Sequence, residues 1–116
     1  MIKKVLDSQK ISVGTANFYK KYGSVSNSHV ALDDIYKIDK LMDEYGVTRI
    51  DSAISYVDFE NKNFPQSFYN GRLVTSKISI EDLSARQVKN KESLIILLEN
   101  MLKKMGIKKL DGLLIH

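Results

Sequence analysis

The sequence predicts an α/β fold of parallel strand-helix-strand units, and three observations predict it. Short β-branched runs alternate along the chain with stretches of helical period. The two clearest helical stretches each run into a glycine, Gly46 and Gly106, as a helix does when its chain turns left-handed to stop. The last apolar run, Leu113 to Ile115, has no polar residue alternating through it, the composition of a strand covered on both faces of a parallel sheet.

Each element has its own signal. "KISVGTANF", Lys10 to Phe18, has strand character as far as Gly14, and "YKKYGSVSNS" after it has the composition of a loop. In "ALDDIYKIDKLMDEYG", Ile35, Ile38, Met42 and Tyr45 recur at helical steps, Leu41 widens the stripe, and Asp33 and Asp34 sit near the positive end of the helix dipole. "VTRID", Val47 to Asp51, follows as the second strand. The less regular "SYVDFENKNFPQSFYNG" has room only for a short helix around Pro65 to Tyr69, and "RLVTSK", Arg72 to Lys77, is the third strand. "KESLIILLENMLKKMG" carries Leu94, Leu98, Met101 and Met105 on one face with Leu97 and Leu102 beside them, a core stripe rather than a cofactor box. "KKLDGLLIH" supplies the fourth strand. Strands and helices in this order imply right-handed crossovers, and both an open doubly wound sheet and a piece of a closed barrel satisfy them.

Composition narrows the partners. The 116 residues are 43% hydrophobic and 28% charged, ordinary globular values for one domain, and no shift in composition marks a second. No run approaches the roughly 18 apolar residues of a membrane span. The opening "MIKKVLDSQKISV" lacks the apolar stretch of a secretion signal, so no membrane partner is expected and the expected location is the cytoplasm. The chain has no cysteine and its two histidines are far apart, so neither disulfides nor a metal site is expected. The formal charge is +4, but the lysines are dispersed, and Lys103, Lys104, Lys108 and Lys109 flank a predicted helix end where cations complement the dipole. Without a basic stripe interleaved with aromatics, no nucleic-acid partner is expected.

Chemistry in parallel α/β folds gathers at the carboxyl ends of the strands. Asp51, Lys77 and His116 each end a predicted strand, and Tyr56 follows the second. An ammonium beside a phenol favours the phenolate and lowers the tyrosine from its reference pKa of about 10. Bringing it near neutrality takes roughly 4 kcal/mol of differential stabilisation, within reach of one close cation in a poorly solvated pocket. Singly, each residue has a plainer role: Tyr56 as packing, Asp51 as a helix cap, Lys77 as a solvated strand end. Their convergence on one rim is what points to a proton-donating site.

These residues resemble a family. "GVTRIDSAISY" resembles the glycine, acid, small-small and tyrosine pattern of aldo-keto reductases, "LVTSK" their lysine strand, and "LKKMGIKKLDGLLIH" their helix-to-histidine segment. "ISVGTANFYKKYG" is similar to the family's "GT" strand, and its later "YG" to a bacterial subgroup often met in surface-polysaccharide gene clusters. The resemblance implies the N-terminal half of a TIM-type (α/β)8 barrel, with residues 1–116 as a partial domain of a longer enzyme. It implies reduction of a small aldehyde or ketone by NADP(H), with NAD(H) also admissible. Tyr56 would be the general acid, Lys77 would lower its pKa, Asp51 would pair with Lys77, and His116 would orient the carbonyl. Gly14, Thr15, Ala16 and Asp51 would line the cofactor. A half-barrel leaves two strand edges open, so association of copies, or with the remaining half, is expected through them. The alternative expectation is a non-catalytic half-barrel acting as an assembly module, or an inactive remnant of a reductase.

Overall fold

The computed structural model describes residues 7–16, 18, 30–53 and 66–116. The fold is α/β. Strands β1 (Ser12–Gly14), β2 (Arg49–Asp51), β3 (Leu73–Ile78) and β4 (Gly112–Ile115) form one sheet in the order β1-β2-β3-β4. Every pairing is parallel: Gly14 lies opposite Asp51, Asp51 opposite Thr75, and Lys77 opposite Leu114. The helices are α1 (Leu32–Tyr45), α2 (Ile80–Ala85) and α3 (Lys91–Met105), with single 3-10 turns at Ser8–Lys10 and Gln66–Tyr69.

The helices stop where their glycines demand it. Gly46 and Gly106 have φ of +66° and +69°. At each, the glycine N–H and the next residue's N–H bond back to carbonyls of the last turn, Met42 and Asp43 for α1 and Leu102 and Lys103 for α3. This Schellman arrangement satisfies carbonyls that would otherwise lack partners, and only glycine enters it without a Cβ penalty. The start of α3 is capped reciprocally: Ser93 N donates to Asn90 Oδ1 at 2.9 Å and Asn90 N to Ser93 Oγ at 3.1 Å.

Helix α2 is an element the periodicity does not announce, because six residues are too few to show a stripe. Its signal is a capping box. Asp82 N donates to Ser79 Oγ at 3.0 Å, and Ser79 N donates to Asp82 Oδ2 at 2.9 Å, which turns the chain into a helix directly after β3. The short helix expected around Pro65 to Tyr69 is the 3-10 turn Gln66–Tyr69, as far as the described residues extend.

Packing is one-sided. Ile50, Val74 and Ile78 face the helices, where Ile35 and Met42 of α1, Met101 and Met105 of α3, and Phe68 and Tyr69 close the core. Each large side chain so buried is worth about 1.5–3 kcal/mol relative to exposure. Met42, Met101 and Met105 are core, as their spacing predicts, whereas Leu41 is exposed and does not widen the stripe. The strand alternation sends Arg49, Asp51, Leu73, Thr75, Lys77 and Leu114 to the opposite face. β4 departs from the expectation of a covered strand: Leu113 and Leu114 are exposed and Ile115 is 78% exposed, since β4 is the sheet's edge.

Arg72 locks the start of β3 to α1. Its guanidinium donates to Asp39 Oδ1 at 2.5 Å, Asp43 Oδ1 at 2.7 Å and the carbonyls of Phe68 and Asp39, and it lies 5.2 Å from the Phe68 ring centroid. Its side chain is 6% exposed. At the other side of β3, Asp111 imitates a ladder partner: its N–H donates to Val74 O and its carboxylate accepts from Val74 N.

Two stability outcomes follow from these contacts. Arg72→Ala leaves the largely shielded Asp39 carboxylate and the Phe68 carbonyl without their donor, and lowers unfolding free energy by about 2–3 kcal/mol in urea titration. Gly106→Ala forces a Cβ into the left-handed region and costs about 1 kcal/mol in the same measurement.

Candidate functional site

The register of β2 on β3 builds the site. Asp51 lies opposite Thr75, so Lys77 extends from the same face one pleat further on, at the carboxyl ends of both strands. Its ammonium donates to the Asp51 carboxylate and to Ser52 O, the latter at 2.9 Å. The two partners differ in burial: the Lys77 side chain is 16% exposed and that of Asp51 is 54% exposed. Lys77 is thus a cation whose stem is packed and whose head is held at a rim.

Behind this pair is a buried hydroxyl contact. Thr15 and Ser52 are both fully buried, and Thr15 Oγ1 donates to Ser52 Oγ at 2.9 Å. Thr15 N donates to Asp51 O at 3.0 Å, and Ser52 N donates to Thr75 O at 2.9 Å. The tips of β1, β2 and β3 are thereby tied together just beneath the ammonium. Ala53, next in the chain, is fully buried as well.

Gly14, Thr15, Ala16 and His116 take definite places. Gly14 is exposed opposite Asp51, and a Cβ added there would meet no atom of the described residues within 4 Å. Ala16 is half-buried, and Thr15 turns its hydroxyl inward to Ser52 rather than outward. His116 N donates to Ile78 O at 2.9 Å, which continues the β3–β4 ladder and places His116 on the face that carries Leu114 and Lys77. Tyr56 lies outside the described residues. The structure therefore brings Asp51 and Lys77 into contact, sets Gly14 and Thr15 beside them, and puts His116 on the same face of the neighbouring strand.

Ser52, one of the two small residues after Asp51, is a neighbour of the ion pair to which the sequence pattern gives no role of its own. Its signal was a small polar residue directly after a strand-ending acid, in "IDSA". Ser76, the other buried serine, belongs elsewhere: it alternates with Lys77 toward the helix side, and its hydroxyl has no hydrogen-bond partner among the described residues. A separate depression of about 430 Å³ lies at the opposite, amino end of β3, between Tyr69–Leu73 and Gly106–Lys109. Arg72 in its wall is committed to Asp39 and Asp43, so it has little left for a ligand.

Among the described residues no cluster of His, Asp or Glu is placed to hold a metal ion, and no helix is long and apolar enough to cross a membrane. No protein-family model, curated protein or solved structure matches the chain. Chemically, an ammonium anchored by a carboxylate and a carbonyl at the strand ends can stabilise a negative oxygen brought to it, whether phenolate or oxyanion.

The exposure of Asp51 sets the size of its contribution to folding. An ion pair with one partner more than half exposed is screened by solvent, so Asp51→Asn should change unfolding free energy by less than about 1 kcal/mol in chemical denaturation.

Proposed function

We propose that the chain forms the N-terminal half of a TIM-type (β/α)8 barrel of the aldo-keto reductase kind, and that it contributes the proton-transfer side of a carbonyl-reducing site. The observation that carries this reading is the Lys77 ammonium held between the Asp51 carboxylate and Ser52 O at the carboxyl end of parallel strands. His116 on the same face supports it.

In this reading Tyr56 donates a proton to the substrate carbonyl oxygen. Lys77 stabilises the phenolate left behind, Asp51 holds and aims the ammonium, and His116 fixes the carbonyl by a hydrogen bond from its ring. The exposed Gly14 and the half-exposed Asp51 carboxylate suit a nicotinamide ribose, the carboxylate accepting from a ribose hydroxyl. NADP(H), or NAD(H), bound there supplies the hydride to the carbonyl carbon. The protein's part is position and a tuned proton donor. A small aldehyde or ketone in the cytoplasm is the proposed substrate.

The exposed apolar β4 favours a second reading on the same scaffold. A half-barrel whose edge strand is apolar on both faces suits assembly, either with another copy or with the remaining half of a barrel, and could serve that role without catalysis.

Titration calorimetry with reduced cofactor, followed by aldehyde-dependent loss of its absorbance, separates the two. Heat of binding and turnover are the outcomes expected of a reductase; neither is expected of an assembly module. Tyr56→Phe should cut any turnover by about 10²-fold or more with the fold intact by circular dichroism. Undiminished turnover would remove Tyr56 from the mechanism.

A further inference from the structure

We infer that the buried hydroxyls of Thr15 and Ser52 are positioning groups for the Lys77 ammonium, acting through the Ser52 carbonyl; the inference rests on the reductase reading only for what the held ammonium then does. Among the described residues, Lys77 donates to the Asp51 carboxylate and to Ser52 O, the latter at 2.9 Å. The carboxylate is half exposed, on a side chain with its own rotamer freedom. The carbonyl is main chain, and its direction is set by how the Ser52 residue is anchored.

That anchoring comes from three sides. Ser52 N donates to Thr75 O at 2.9 Å, tying the residue to β3. The preceding carbonyl, Asp51 O, accepts from Thr15 N at 3.0 Å, tying it to β1. The side chain itself is pinned by Thr15 Oγ1, which donates to Ser52 Oγ at 2.9 Å in a site with no exposed surface. Its N–H, the carbonyl before it and its side chain are all bonded, which restricts how the residue can turn, and its own carbonyl accepts from Lys77 Nζ.

A hydroxyl pair is an expensive way to fill such a space if packing were its purpose. Valine is nearly the shape of threonine, and alanine would fill most of the volume of serine, without burying two polar groups that then need hydrogen-bond partners, here each other and, for Thr15 Oγ1, Asp51 O at 3.4 Å. What valine and alanine lack is the bond that sets the carbonyl. The site also lies at the carboxyl tips of β1 and β2, where main-chain bonds from Ser52 N to Thr75 O and from Thr15 N to Asp51 O sit beside the hydroxyl pair.

The test is the reactivity of Lys77 in the full chain toward a neutral acylating reagent, followed residue by residue by mass spectrometry, with exposed Lys37 as internal reference. In the unaltered protein Lys77 should acylate slowly relative to Lys37. Thr15→Val should raise the Lys77 rate about tenfold, the effect of losing one buried hydrogen bond, with Lys37 unchanged. Thr15→Ser, which keeps the hydroxyl, should restore the slow rate. A protein that merely loosens would acylate all its lysines faster together, and in that event the smaller change Ser52→Ala decides by the same ratio. A Lys77 to Lys37 ratio within twofold of the unaltered value in the folded variant overturns the inference. Carbonyl reduction is scored separately: absence of turnover in the unaltered chain counts against the reductase reading, while release of Lys77 by Thr15→Val upholds the positioning role.

Discussion

The parallel pairing of β2 with β3 is the constraint on which the candidate site depends. Because Asp51 is opposite Thr75, the next residue of β3 on that face is Lys77, and its stem is long enough to return to the carboxylate and to the carbonyl after it. A slip of one residue would send Lys77 to the helix side, into the neighbourhood now filled by Ile50, Val74 and Ile78, and would expose Ser76 in its place. The hydrophobic set on one face therefore enforces the polar set on the other. The ion pair itself is too exposed at Asp51 to specify the register; the core does so and the pair benefits.

The same division of labour runs through the rest of the sheet. Arg72 and Asp111 secure the amino ends of β3 and β4 with charged groups bonded to main chain and to α1, leaving the carboxyl ends to be joined by smaller contacts from Thr15, Ser52 and Asp51. The charged anchors are concentrated at one end of the sheet and the candidate site lies at the other, the usual separation in parallel α/β proteins. β4 sits outside this scheme. Its leucines and isoleucine are exposed, so the sheet as described is apolar at an edge where parallel sheets are ordinarily continued or covered.

Much of this was legible residue by residue. The periodicity of Ile35 to Tyr45 and Leu94 to Met105 located α1 and α3, and Gly46 and Gly106 located their ends, because a helix stripe and a left-handed cap are both local features. Helix α2 was passed over since its signal, Ser79 with Asp82, lies in a cap and not in a stripe. Leu41 and the β4 run were expected to be covered and are exposed, because hydrophobicity states a preference for burial without stating whether a neighbour is there to provide it. At the site, Asp51, Lys77 and His116 could be named as strand ends from the sequence. Ser52 could not, since nothing in a serine after an aspartate distinguishes a buried anchor from a turn.

The sequence by itself determined the alternation of strand and helix, the positions of the helix ends and the residues that stand at the strand tips, all consequences of local periodicity and backbone preference. Only the tertiary structure decided that Lys77 meets both Asp51 and the Ser52 carbonyl, that Thr15 turns its hydroxyl inward, and that Arg72 reaches Asp39 and Asp43 of α1. Each of those contacts joins residues far apart in the chain, and their geometry comes from strand register and helix packing, which no local pattern encodes.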